Sequence, residues 1–197
     1  MVSAALTQWR TGRAARLSNL LGAHVAVGGS QAGRRWATEE LNHAIVLRLA
    51  SEFQGFCRDL HDEAVGVLVG AVARNDPGLQ RVLTVPYHAN RKLDRGNAEP
   101  GALGIDFGLL GMTLWPDLKA GYPAKGPEWS RKLGLLNEAR NGIAHDDTSK
   151  ITKVQLAGWP LTMPSIKKWR SALDGLAGGM DHVTCDYLRK LLKVTPW

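Results

Sequence analysis

Apolar residues recur at helical spacing along most of the chain. The clearest stripe is Ile45, Leu49, Phe53, Phe56/Cys57, Leu60, Ala64 and Val67/Leu68. Steps of three and four residues place these side chains on one face of a helix. Thr38 can cap its start, Glu39 and Glu40 suit the positive end of the helix dipole, and the pattern runs to about Arg74. A second stripe, Leu133, Leu136, Ala139 and Ile143, lies between Glu128 and Asp147, with Pro127 at a natural helix start and loosening expected near Gly142. A third joins Ile166, Trp169, Leu173, Leu176, Met180, Val183 and Tyr187/Leu188 between Pro164 and about Leu192, with a kink or split expected at Gly178-Gly179. Ala4 to Leu21 is rougher: Leu6, Trp9, Ala14, Leu17 and Leu20/Leu21 form an apolar face flanked by Arg10, Arg13 and Arg16.

Between these stripes stand breakers. Gly28, Gly29 and Gly33 predict a loop, and Asn75-Asp76-Pro77-Gly78 predicts a turn. Leu79 to Val85 is at most a short helix stopped by Pro86. Tyr87 to Gly101 is polar and basic, and reads as a solvated loop more readily than as an RNA-facing insertion. Ala102 to Trp115 fits a short buried helix, with a strand as the alternative. Pro116 to Gly126, and the segment from Asp147 through the two prolines of LAGWPLTMP, are connections. No stretch alternates with the period of a surface strand. The expected fold is therefore all-α, a helical bundle of four or more helices with an extra N-terminal helix. Residues 1–35 form the basic N-terminal helix and loop, and 36–197 a single helical domain.

Composition narrows the function. The chain has 197 residues, enough for one sizeable core, with 44% hydrophobic and 22% charged residues. The longest apolar run, Ala64 to Ala73, is about half of the ~20 residues a membrane helix needs. No secretory pattern opens the chain, so a cytoplasmic protein with Cys57 and Cys185 as reduced thiols is expected. Net charge is +7. Arg10, Arg13, Arg16, Arg34 and Arg35 fall in the first 35 residues without one acid. Such asymmetry favours a polyanionic partner, RNA first, against a basic surface with no partner. No Cys/His metal spacing, phosphate-binding loop or dinucleotide fingerprint occurs, so neither metal nor cofactor is expected.

Two sets of polar residues carry candidate chemistry. Glu52, Asp59 and Glu63 follow a ridge beside the apolar stripe of the long helix, at steps of seven and four. Acids there can face a polar site, where Glu52 or Asp59 would support it, or lie on a solvated margin. His61 points away from that ridge and reads as a surface residue. The second set is Arg140, Asn141 and His145 in LNEARNGIAHDD, at the end of the second stripe. Histidine titrates near neutrality and can move a proton. Arginine stays charged and grips phosphate with a planar fork. The plainer alternative is a cation at a helix C-terminus, with Arg140 paired to Glu138 or Asp146. At about 100° per residue, Arg140 and His145 leave a regular helix about 140° apart, so one chain does not put them on one face.

This segment resembles the signature of the HEPN superfamily, in which Arg and His four to six residues apart, often as Arg-Asn-x-x-x-His, close a helix of a small bundle. Arg140, Asn141 and His145 match, with Ala144 before the histidine; the resemblance covers about 20 residues. Arg81 and His88 also fit the loose spacing, but Pro86 interrupts them. The resemblance implies a HEPN-like domain over 36–197 acting as a metal-independent endoribonuclease, with Arg140, Asn141 and His145 as catalytic residues. It implies RNA as substrate, a homodimer whose motifs face each other, and a toxin or antiviral effector with an antitoxin or activating partner. A tyrosine two residues after the histidine, modified by a nucleotidyltransferase in one HEPN toxin group, is Asp147 here, so that regulation is not implied. The alternatives are a non-catalytic HEPN-like dimerisation or RNA-binding module, and a helical interaction protein in which the motif only caps a helix.

Overall fold

The computed structural model describes residues 1–28 and 36–197. The expected loop glycines Gly29 and Gly33, and Arg34 and Arg35, lie outside them. The elements are α1 (Ala4–Gln8), a π-turn (Trp9–Arg13), α2 (Ala14–Gly28), α3 (Trp36–Val72), α4 (Pro77–Ala89), a short 3-10 turn (Lys92–Asp94), α5 (Pro100–Gly108), α6 (Leu114–Gly121), α7 (Gly126–Ala144), α8 (Thr148–Leu156) and α9 (Met163–Leu192). The described residues contain no strand, and the fold is an all-α bundle. Among them no helix is long and apolar enough to cross a membrane.

The three long stripes made the three long helices. α3 lies against α1, α2, α7 and α9 and supplies the core with Ile45, Leu49, Phe53, Phe56, Leu60 and Ala64. α9 is one unbroken helix through Gly178-Gly179, against the expected kink. Gly175 and Gly179 form a groove for the Trp129 ring, where a Cβ would come within 2.7 and 2.9 Å of ring atoms. Burial of that indole outweighs the weak helix preference of glycine, about 1 kcal/mol per residue.

The N-terminal segment does not stand apart from a 36–197 domain. Leu6, Trp9 and Leu17 belong to the common core, and the Trp9 indole meets Phe53 edge-on at 5.7 Å. Trp9 Nε1 donates to Asp174 Oδ1 at 2.9 Å, and the Arg170 guanidinium lies 5.2 Å from the ring centre. Ser3 Oγ accepts from Leu6 N at 2.9 Å, while Glu63 accepts from the Ala4 and Ala5 N–H groups at 3.0 Å each. These are the donors a helix start leaves without intrahelical partners.

Three helical segments were missed or shortened. Pro86 sits inside α4. It removes one bond to Val82 O, but both residues are exposed, so water can take up that carbonyl. Pro116 falls in the first turn of α6, where a missing N–H costs nothing. α8 occupies the segment read as a connection, started by Asp147. α4 itself is begun by Asp76, whose Oδ1 accepts from Leu79 N at 2.9 Å. Asp76→Ala should lower stability by about 1 kcal/mol in urea unfolding and speed amide exchange at Leu79.

Candidate functional site

The motif lies where α7 turns into α8. α7 stays helical to Ala144, so the expected loosening at Gly142 does not occur. Gly142 instead lets α8 approach: a Cβ there would stand 2.9 Å from Ile151 Cγ1 and 3.2 Å from Ile151 N. Asp146 adopts a left-handed conformation, φ 51°. This closes a helix cap in which Asp147 N donates to Gly142 O at 2.8 Å and Asp146 N to Ile143 O at 3.4 Å. Asp147 then caps α8, its Oδ1 accepting from Ser149 N at 3.1 Å and Lys150 N at 3.2 Å. The Ser149 hydroxyl, first, and the Lys150 N–H hold the Asp147 carboxyl below the usual carboxylate range.

Arg140 is half-buried and forms neither of the expected ion pairs. Glu138 binds Lys153 Nζ at 3.1 Å, and Asp146 has no ion pair among the described residues. Arg140 Nη1 donates to Asn141 Oδ1 at 3.1 Å, and no described carboxylate lies within ion-pair distance of the guanidinium. Asn141 is the hub. Its Oδ1 also accepts from Asn97 Nδ2 at 2.6 Å, and its Nδ2 donates to Glu99 Oε1 at 3.3 Å. One turn earlier, buried Asn137 donates to Ala98 O at 3.0 Å. The two asparagines thus stitch the segment before α5 along α7. Asn97 and Glu99 were not singled out from sequence. The available signal was the four-residue step from Asn137 to Asn141, which puts two amides on one ridge.

His145 is the C-cap of α7, with an exposed side chain. Its backbone N–H donates to Asn141 O at 3.1 Å. No hydrogen bond or ion pair joins its ring to Arg140, as the angular argument anticipated.

Glu52 and Asp59 are engaged elsewhere. Arg13 Nη1 meets Glu52 Oε2 at 2.8 Å and Arg13 Nη2 meets Asp59 Oδ2 at 2.6 Å. Arg16 donates to both Glu52 oxygens, at 2.6 and 2.8 Å, and Arg48 Nη2 reaches Oε1 at 2.6 Å. With Glu63 on Ala4 and Ala5, all three acids of the ridge receive the N-terminal helices. Because Glu63 meets Ala4 while Glu52 meets Arg16, α1–α2 runs antiparallel to α3. Arg13 and Arg16, read as part of a basic surface, are thereby neutralised. Glu52 is 3% exposed, and its carboxyl is lowered from 4.5 to about 2, first by Arg16, against burial, and then by Arg13 and Arg48.

The second Arg–His spacing changes meaning now that α4 continues through Pro86. Arg81 and His88 are two turns apart on one side of a regular helix. They line a shallow groove with Gln80 and Thr84. His88, however, is bonded to Asp62 at 3.0 Å, whereas His145 is free of any such carboxylate. No family model matches this chain, and no curated protein or solved structure does either.

Proposed function

We propose that the chain is a metal-independent endoribonuclease of HEPN type. The observation that carries this reading is Arg140: a half-buried guanidinium oriented by Asn141, without a carboxylate partner, five residues before an exposed histidine. An uncompensated cation of this kind suits a phosphate, which the guanidinium fork can grip through two parallel bonds. The RNA 2′-hydroxyl attacks the adjacent phosphorus and the bond to the 5′-oxygen breaks. The products are a 2′,3′-cyclic phosphate and a 5′-hydroxyl. His145 takes or returns a proton, and Arg140 stabilises the charge gathering on the phosphoryl oxygens. Asn141 positions Arg140 and fixes the segment carrying Asn97 and Glu99.

Arg140 and His145 are not bonded to each other within one chain. The reading therefore includes a homodimer in which a second copy completes the cleft. A toxin or antiviral setting in the cytoplasm, with an antitoxin or activating partner, follows from the resemblance. The same lack of contact favours a second reading: a non-catalytic module that binds an RNA phosphate through Arg140.

Incubating end-labelled RNA with the wild-type protein in EDTA separates the two. Cutting that leaves cyclic phosphate ends is the expected result. Binding without cutting, weakening steeply with salt, would replace the nuclease with the binding module.

A further inference from the structure

We infer that His61, Asp62 and His88 form a binding site for a divalent transition metal of zinc type, which clamps α4 onto α3. The site is independent of the Arg140–His145 motif. His61 was expected at the surface, yet its side chain is fully buried. Its Nε2 lies 3.1 Å from Asp106 O. A carbonyl only accepts, so Nε2 carries the proton and Nδ1 presents a lone pair. That Nδ1 is buried with no hydrogen-bond partner. It faces Asp62 Oδ1 at 4.0 Å, too far for a hydrogen bond. His88 Nε2 stands 3.0 Å from the same oxygen, and the three ligand atoms lie within 4.8 Å of one another. An ion bound about 2 Å from each would fit between them after small turns of the exposed Asp62 and His88 side chains, the first of which brings the carboxylate closer to His61 Nδ1.

The surroundings are those of a metal ligand set. A histidine that binds a metal through one nitrogen commonly donates its other N–H to a carbonyl or carboxylate, which fixes the ring. Here Asp106 O takes that N–H, and the Phe107 ring braces the imidazole edge-on at 5.7 Å. Asp106 is itself anchored, its carboxylate accepting from Lys92 N at 2.7 Å and Leu93 N at 2.8 Å. Two imidazoles and one carboxylate favour zinc over calcium or magnesium, and leave a coordination position for water. Arg91 is the opposing charge, because it also donates to Asp62 Oδ1. It has somewhere else to go: Asp94 binds its Nε at 2.8 Å and its Nη2 at 3.0 Å. The clamp has a mechanical purpose, since α4 buries no residue fully and leaves Leu79, Val82 and Val85 exposed.

The test titrates full-length, EDTA-treated and dialysed protein with Zn2+ by calorimetry and with Co2+ by visible absorption. Wild type should bind one ion per chain, show the absorption of four-coordinate Co2+, and unfold at higher temperature with Zn2+ present. His88→Gln and Asp62→Asn alter exposed side chains, so circular dichroism should stay the same. Each should weaken binding at least as much as loss of an outer-shell partner does, about 10–100-fold. Arg91→Gln should tighten it, a response that a merely structural ion pair would not give. His182→Gln, which removes the His182–Asp186 pair at 3.4 Å on α9, should leave the titration unchanged. Absence of stoichiometric binding, or binding indifferent to His88→Gln and Asp62→Asn, would overturn the assignment.

Discussion

His145→Ala should lower EDTA-resistant RNA cleavage by about 10²–10⁴-fold, the usual contribution of a positioned proton-transfer group. The substitution suits the purpose because the fold makes no use of the ring. The side chain is exposed, and the bond the residue gives to the helix end comes from its backbone N–H. Thermal unfolding should therefore match wild type, so lost cleavage reports chemistry and not collapse of the cap. Arg140→Ala should cause a comparable loss, with weaker RNA binding at low salt as a second sign. Arg140→Lys keeps the charge without the fork and should recover only part of the activity. Asn141→Ala is less clean, because it also releases Asn97 and Glu99. If the four variants cut RNA as fast as wild type, the activity comes from another site or a contaminant, and the nuclease reading is lost. Loss in the His145 variant at wild-type stability and with the oligomeric state of wild type would place the effect in the chemical step.

What could be read from the sequence followed how each residue earns its place. α3, α7 and α9 were legible because each carries a long apolar stripe at helical period, and periodicity reports burial directly. α6 and α8 were not. Each is under ten residues long and offers few apolar positions to count: Leu114 and Leu118 are buried in α6, Val154 in α8. Pro116 in α6 and the polar residues of α8 looked like loop chemistry, and only the structure shows Asp147 capping α8. The motif residues could be named from Arg140, Asn141 and His145 as a local string. Asn97 and Glu99 could not, because they reach Asn141 across more than 40 positions of chain. The acidic ridge was recognised as a unit, but its partner was not. Sequence spacing shows that Glu52, Asp59 and Glu63 share a side of α3. It does not show which helix lies there, and the arginines that answer them sit in a segment whose charge looked like a surface for RNA.

Glu52→Gln should destabilise the protein by about 2–3 kcal/mol near neutral pH. Glu52 is almost fully buried and receives Arg13, Arg16 and Arg48. Its amide replacement keeps the shape and removes the charge, leaving three guanidinium groups with Asp59 as their only remaining acid in the cluster. Solvent screening of Arg16 and Arg48, both about two-fifths exposed, keeps the loss below what a wholly buried pair would give. The sign with pH is fixed by the direction of the shift. The folded carboxyl lies near 2, below its ordinary 4.5. Its stabilisation is therefore complete above about pH 5 and disappears as pH falls through the folded value. Urea unfolding of wild type and variant at a series of pH values should show a gap that is constant from pH 7 to 5 and narrows steadily towards pH 3. Asp59→Asn should have a smaller effect, since Asp59 is half-exposed and holds Arg13 alone. A gap independent of pH would mean that Glu52 acts by packing alone, and that α1–α2 is held to α3 by Leu6, Trp9 and Leu17 without help from the charges beside them.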